Sequence, residues 1–291
     1  MKHTTILVTG ATGTVGREVV KQLSMLDGNL VRVRAGVHSL IKGENLRRLP
    51  EVEVVEMNFE DPASLHAAFT HVDKVLLITP FTEDQVQMLK TLVDEAKKRG
   101  VQHIIRLSAM GADASPGITL GRQHREMEKY IEASGMAYTF LRPAGFMQNF
   151  LNYADSIRHQ GKFYQPTGTG KVGYIDVRDI ATVAVEVLTG SGHEGKVYEL
   201  TGPEAISGEE VAQIFSNVLG KPVAFVDVPE EEARKAMLEH MPAWMVDALL
   251  ELNSIYKAGY SSATTDTVEE VTDRMPHAFE QFARDYKECF E

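Results

Sequence analysis

The stretch Val8-Thr9-Gly10-Ala11-Thr12-Gly13-Thr14-Val15-Gly16 decides the fold of this chain. The apolar run Ile6-Leu7-Val8 leads into it, and Val15, Val19, Val20 and Leu23 follow at helical spacing. A strand, a glycine-rich turn and a helix in that order aim unpaired N–H groups and a partial positive charge at a diphosphate. Gly10 allows the tight bend, Gly13 lets the diphosphate reach the backbone, and Gly16 lets helix and strand pack closely. Gly10, Thr12, Gly13, Thr14, Val15 and Gly16 are therefore the first candidate cofactor ligands. The bland alternative is an ordinary βα turn; the placement between strand and helix favours a dinucleotide site.

Outward from that turn, the first half alternates apolar runs with helical patterns, the mark of βαβ units and a parallel sheet. Strands are expected at Thr5–Thr9, Val31–Ala35, Val52–Glu56, Lys74–Ile78, His103–Leu107 and Tyr138–Leu141. Helices are expected at Gly16–Leu26, Ile41–Leu49, Pro62–Phe69, Asp84–Arg99 and Leu120–Ser134. The near-continuous Val, Ile and Leu of the strands predicts burial on both faces. The fold class is α/β: a Rossmann doubly wound parallel sheet with helices on both faces, plus a smaller C-terminal α/β substrate-binding part.

After Phe150 the rhythm changes. Residues 1–150 read as the dinucleotide-binding domain and 151–291 mainly as a substrate-binding part, with segments near 174–201 returning to the first. Asp179 is placed to cap a helix over Ile180–Leu188, and Lys196–Thr201 and Val223–Val228 read as strands. Ser207 with Glu210 forms a capping box, and Ile206 with Val211 a hydrophobic staple. Pro229–Leu252 is largely helical and interrupted by Pro242. Its apolar set, Trp244 and Met245 included, exceeds one core-facing stripe, which fits either a helical hairpin packed on the core or a lid over a substrate.

The chain has 291 residues, enough for a substantial core, and a net charge of −11, which disfavours direct nucleic-acid binding. Lys2 and His3 lead straight into a strand, and no transmembrane or secretory segment stands out, so a cytoplasmic location is expected. The single cysteine, Cys289, excludes an intrachain disulfide and a cysteine-based zinc site. No His-x-x-x-His or Asp-x-Asp cluster appears, so no metal is expected, and no Gly-x-Ser-x-Gly elbow is present.

On this reading the second strand ends at Arg34, eighteen residues after Gly16, with no acid before Glu44. An acid there would accept from an adenosine ribose, whereas a basic residue accommodates a 2′-phosphate. Arg34 is the candidate for that phosphate, with His38, Ser39 and Lys42 secondary, so NADP(H) is preferred over NAD(H). A solvated strand-end charge is the plainer role for Arg34. Residues just past the other strands line the ligand crevice. They place Asn58 and Phe59 beside adenine, Thr79, Pro80 and Phe81 beside ribose and diphosphate, and Ser108, Ala109 and Met110 towards the nicotinamide. Pro143 and Phe146 border the nicotinamide ring.

With those residues in view, the chain resembles the NmrA-like branch of the atypical short-chain dehydrogenases/reductases, particularly its triphenylmethane reductases and bacterial NAD(P)H:quinone oxidoreductases. The matching stretches are Thr9–Gly16, His124-Arg125-Glu126-Met127-Glu128, and Tyr138–Pro143 running into Phe146–Phe150. Tyr174–Ala181 and Leu200-Thr201-Gly202-Pro203 continue the likeness, which covers almost the whole chain in order. It implies a Rossmann domain with a small substrate-binding domain and an active cleft between them.

Many short-chain dehydrogenases use Tyr followed four residues later by Lys. None of the nine tyrosines here has that lysine. His124 and Glu128 share one helical face where the pair would sit, and the candidate roles are proton transfer or plain helix-surface pairing. Hydride transfer to acceptors needing little help from a protein acid fits best: quinones, dyes, iminium ions or activated alkenes. Phe146, Gln148, Asn149, Tyr153, Trp244 and Met245 are candidate contacts to such a small substrate. The alternative is a non-catalytic NADP(H)-sensing regulator acting through a protein partner, distinguished by turnover in the cleft.

Overall fold

In a computed structural model, residues 3–26 and 31–291 are described, so the expectation resting on Lys2 lies outside them. In chain order the strands are β1 (Thr4–Val8), β2 (Val31–Val37), β3 (Val52–Glu56), β4 (Lys74–Leu77), β5 (His103–Leu107), β6 (Ala137–Pro143), β7 (Lys162–Gln165), β8 (Lys171–Val172), β9 (Lys196–Leu200), β10 (Ile206–Ser207) and β11 (Ala224–Asp227). The main helices are α1 (Thr14–Ser24), α2 (Pro62–Phe69), α3 (Gln85–Arg99), α4 (Thr119–Ala133), α5 (Ala154–Gln160), α6 (Val177–Thr189), α7 (Gly208–Leu219), α8 (Glu230–Leu238) and α9 (Ala243–Lys257). Three short ones follow: α10 (Thr267–Thr272), α11 (Phe279–Asp285) and α12 (Lys287–Phe290).

The main sheet runs β3-β2-β1-β4-β5-β6-β9. Every pairing from β3 through β6 is parallel. The chain therefore steps outward on one side of β1 and then on the other, so the order reverses between β1 and β4, the point at which open α/β sheets bind ligands. Polar side chains at the ends of the helices fix these elements. Asp61 caps α2 ahead of Pro62, and Gly100 in the left-handed conformation ends α3 after Lys97, Lys98 and Arg99.

The chain divides into two compact units. One comprises residues 1–113, 122–142 and 180–198; the other comprises 114–121, 143–179 and 199–291. In the first unit Leu65, Phe69, Leu89, Leu92, Ile104, Met127, Ile131 and Phe140 form a closed core. In the second, Phe150, Phe163, Phe215, Phe279, Phe282 and Phe290 form an aromatic one, with Ile206 and Val211 joined in it as the staple requires. The capping box of Ser207 and Glu210 is formed at the start of α7.

Three elements differ from their expected form. The apolar spacing predicts a helix over Ile41–Leu49, but the chain makes turns and one short 3₁₀ helix, Leu46–Arg48. Gly43 explains part of this, since its backbone lies so close to Val54 and Val37 that a Cβ would clash. Strand β2 continues through Gly36 to Val37, because that glycine lets Met57 and the β1 backbone approach. Helix α6 starts at Val177, and Asp176 rather than Asp179 accepts from an amide of its first turn, that of Arg178 at 2.8 Å. Pro242 does break the later helical stretch, standing before α9 as its N-cap. Helices α8 and α9 bury a small core of their own, Ala233, Val246 and Leu250, as a helical hairpin would. Among the described residues no helix is long and apolar enough to cross a membrane.

Candidate active site

The glycine turn is built as its residues require. Gly10 has φ +59°, and a Cβ there would press on Ile78 at the end of β4. A Cβ on Gly16 would run into the Gly10 carbonyl, so only glycine lets α1 start this close to β1. The Thr9 hydroxyl clamps the two central strands, donating to the Ile78 carbonyl (2.9 Å) and accepting from its N–H (2.7 Å). The Ala11 N–H donates to the Gly36 carbonyl at 3.1 Å, tying the turn to β2 as well.

Gly13 is the N-cap of α1, has no side chain to cap it, and is exposed beside Thr14. The first turn of α1 carries no acidic residue. The amides of Thr14, Val15 and Gly16 have no intrahelical acceptor, by the geometry of any α-helix. A Cβ on Gly13 would meet only the Gly10 carbonyl on its protein side, so the outer side is open to a phosphate. These features fit a dinucleotide diphosphate.

Of the residues expected around the nucleotide, Arg34 is not at a strand end. It lies in the middle of β2 and is already engaged. Its Nε and Nη2 reach Glu53 (3.0 and 2.9 Å), and its Nη1 donates to the Ala68 and Thr70 carbonyls (2.9 and 2.7 Å) at the end of α2. The strand runs on to Val37, and exposed His38 stands at its end beside half-buried Ser39, with exposed Lys42 beyond. Asn58 makes a local turn, its side-chain oxygen accepting from Glu60 N–H at 3.0 Å, and half-buried Phe59 packs on the core. Thr79, Pro80 and Phe81 follow β4 at the reversal of strand order. Ser108 and half-buried Ala109 follow β5.

Glu128 and His124 do not act as a pair. Glu128 is fully buried and receives Arg142 through two hydrogen bonds (2.9 and 2.8 Å), the Ser108 hydroxyl (2.7 Å) and Arg125 (3.1 Å). Burial pushes its carboxyl up, but the Arg142 fork and the Ser108 hydroxyl outweigh this and hold it below the usual range. Arg142 reaches on to Asp113 at 2.7 Å, so the network braces the chain between β5 and α4. The Ser108 proton is thereby committed to Glu128. His124 has a buried Nδ1 without a partner, and burial together with the nearby Arg106 charge drives its pKa down to about 3. It is neutral at physiological pH and is no imidazolium acid.

In the second unit, Pro143 ends β6 and half-buried Phe146 bridges to Ile175 ahead of a 3₁₀ helix, Met147–Tyr153. Gln148 is not available to a substrate. It is buried, donating to Asp176 and accepting from the Val177 N–H, both at 2.9 Å. Tyr153 packs its ring at a tilt against Phe150 and Phe163, and its hydroxyl accepts from Gln165 at 3.3 Å, a core position rather than an open one. Asn149 is exposed, and Trp244 and Met245 are half-buried in the first turn of α9.

The model of the NmrA-like family matches residues 2–287. The chain belongs to the NmrA-like family. It is 41% identical over 286 residues to the NAD(P)H azoreductase of Xenophilus azovorans, covering 98% of this chain and 99% of that one. The NADPH complex of an Escherichia coli NADPH-dependent quinone oxidoreductase superposes with a TM-score of 0.87 at 27% identity, covering 97% and 99% of the two chains. The NADP(H) complex of a Citrobacter triphenylmethane reductase gives 0.85 at 28% identity, covering 98% and 99%.

Two buried charged residues of this NmrA-like chain are not marked as candidates by the motifs: Arg106, fully buried in β5, and Arg142, buried at the end of β6. Each is a charge inside a strand that is largely apolar and largely buried. That contradiction is the signal that marks them.

Proposed function

We propose that this chain is an NADPH-dependent reductase that passes hydride to a small planar acceptor such as a quinone, an azo or triarylmethane dye, an iminium ion or an activated alkene. The observation that carries this reading is the uncapped, acid-free start of α1 at the reversal of strand order, in a chain with the near-full-length reductase likeness above. The nicotinamide supplies the hydride when bound. The protein holds the diphosphate on the amides of the glycine turn, and the residues after β4 and β5 flank the bound nucleotide. No Tyr/Lys pair is present, the Ser108 hydroxyl donates its hydrogen bond to Glu128, and His124 stays neutral. Acceptors whose reduced product takes its proton from water suit such a site better than simple ketones.

The preference for NADPH rests on the end of β2, where Val37-His38-Ser39 offers no carboxylate to repel a 2′-phosphate. His38 and Lys42 replace Arg34 as the candidate phosphate ligands. His38→Asp is expected to weaken NADPH binding and improve NADH binding, read by titration of both. Anaerobic absorbance monitoring of NADPH with a panel of quinones, azo and triarylmethane dyes, imines and enones tests the activity. Tight NADPH binding without turnover of any of them would defeat the reductase reading.

A further inference from the structure

Among the described residues Arg106 is the bulkiest fully enclosed side chain, and no carboxylate there hydrogen-bonds to it. Its Nη1 donates to the Leu77 carbonyl (3.0 Å) and its Nη2 to the Thr79 hydroxyl (3.1 Å) and the Met127 sulfur (3.3 Å). Its Nε has no partner. Burial lowers its pKa to about 10, so the guanidinium still carries its charge at neutral pH. The Glu128 carboxylate offsets part of that burial from a distance, but a buried cation without a contacting anion still costs stability that an apolar side chain would not.

Thr79 is the first side chain beyond Ile78, the residue whose atoms lie against Gly10 in the glycine turn. A hydroxyl has one proton and two lone pairs. Arg106 occupies a lone pair and so restricts the Thr79 proton to the remaining directions, and no protein acceptor takes it among the described residues. Donation from a charged group also polarises that hydroxyl and strengthens it as a donor.

We propose that Arg106 is a positioning residue that turns the Thr79 hydroxyl into an oriented donor to an oxygen of the bound dinucleotide. This deepens the cofactor reading above and rests on it. The variants are Thr79→Val, Thr79→Ser, Arg106→Met and the Thr79→Val/Arg106→Met double, with NADPH Kd read by fluorescence and unfolding followed separately. Thr79→Val should weaken NADPH binding about tenfold, Thr79→Ser less than about twofold, and the double no more than the worse single. Where Arg106→Met does not fold, the Thr79 pair carries the test. Wild-type affinity in folded Thr79→Val, wild-type affinity in folded Arg106→Met with only a lower Tm, or penalties that add in the double would each overturn it. Absence of NADPH binding by the wild type would instead remove the cofactor reading itself.

Discussion

Arg34 and Arg106 show how one residue type divides by its position along a strand. Arg34, mid-strand, ends on Glu53 and the last carbonyls of α2, which is a structural assignment. Arg34→Asp should therefore lower Tm and change NADPH and NADH affinities by the same small factor. Selective loss of NADPH in calorimetric titration would return Arg34 to the phosphate pocket. The glycines separate in the same way. Gly13 has φ −76°, and a Cβ there meets the Gly10 carbonyl at 3.2 Å, so Gly13→Ala should lower Tm only slightly and weaken NADPH by about tenfold or more, roughly 1.4 kcal/mol. Gly16→Ala drives a Cβ into the Gly10 carbonyl and should lower Tm as well. Glu128→Gln leaves Arg142 short of a buried anion and should destabilise by about 3 kcal/mol. Because its neighbours hold the Glu128 carboxyl low, its contribution is full above the ordinary Glu value and fades as pH falls through the folded one. Denaturant titrations of the variant should show a shallower loss of stability on the acid side than those of the wild type.

Among elements, α6 shows what local pattern leaves undecided. Asp176 and Asp179 are both good capping residues by type, three apart on one helix start. Asp176 takes the cap, while Asp179 accepts from the His277 N–H (2.8 Å) and meets its ring at 2.6 Å. A partner 98 residues away decided between them. The Asp179 hydrogen bond raises the His277 pKa against the opposing effect of burial. The stability from this pair is then fully present below the ordinary His value and lost as pH rises through the raised one. The gap in denaturant stability between wild type and His277→Gln should be widest near about pH 6 and shrink by about pH 9. A gap that does not change with pH would show that the ring contributes only packing. Strands β3 and β5 and helix α2 fall on the residues that apolar spacing and Asp61-Pro62 predict. The apolar spacing over 41–49 does not yield a helix, because periodicity is blind to the close contact between Gly43 and Val54.

At the scale of the whole molecule, each unit has its own closed core, one aliphatic-rich around the sheet and one aromatic. Cofactor binding should stabilise the protein by mass action, about 2.7 kcal/mol at a hundredfold excess over Kd. Hydrogen exchange with NADPH should show added protection at residues 10–16 and 78–81, the two segments that adjoin at the reversal of strand order. Protection elsewhere with none in these segments would place the nucleotide at another site.

The glycine spacing, the apolar strands and the capping residues are local signals, and they determined the α/β class, the strand succession and the glycine turn between β1 and α1. Local pattern reports only what a residue does to its own few neighbours. Whether Arg34 faces a phosphate or a helix end, whether Glu128 pairs with His124 or Arg142, and whether Gln148 meets a substrate or Asp176 depended on partners distant in sequence. Burial leaves a polar group no solvent to fall back on, so the nearest partner that the fold supplies takes it.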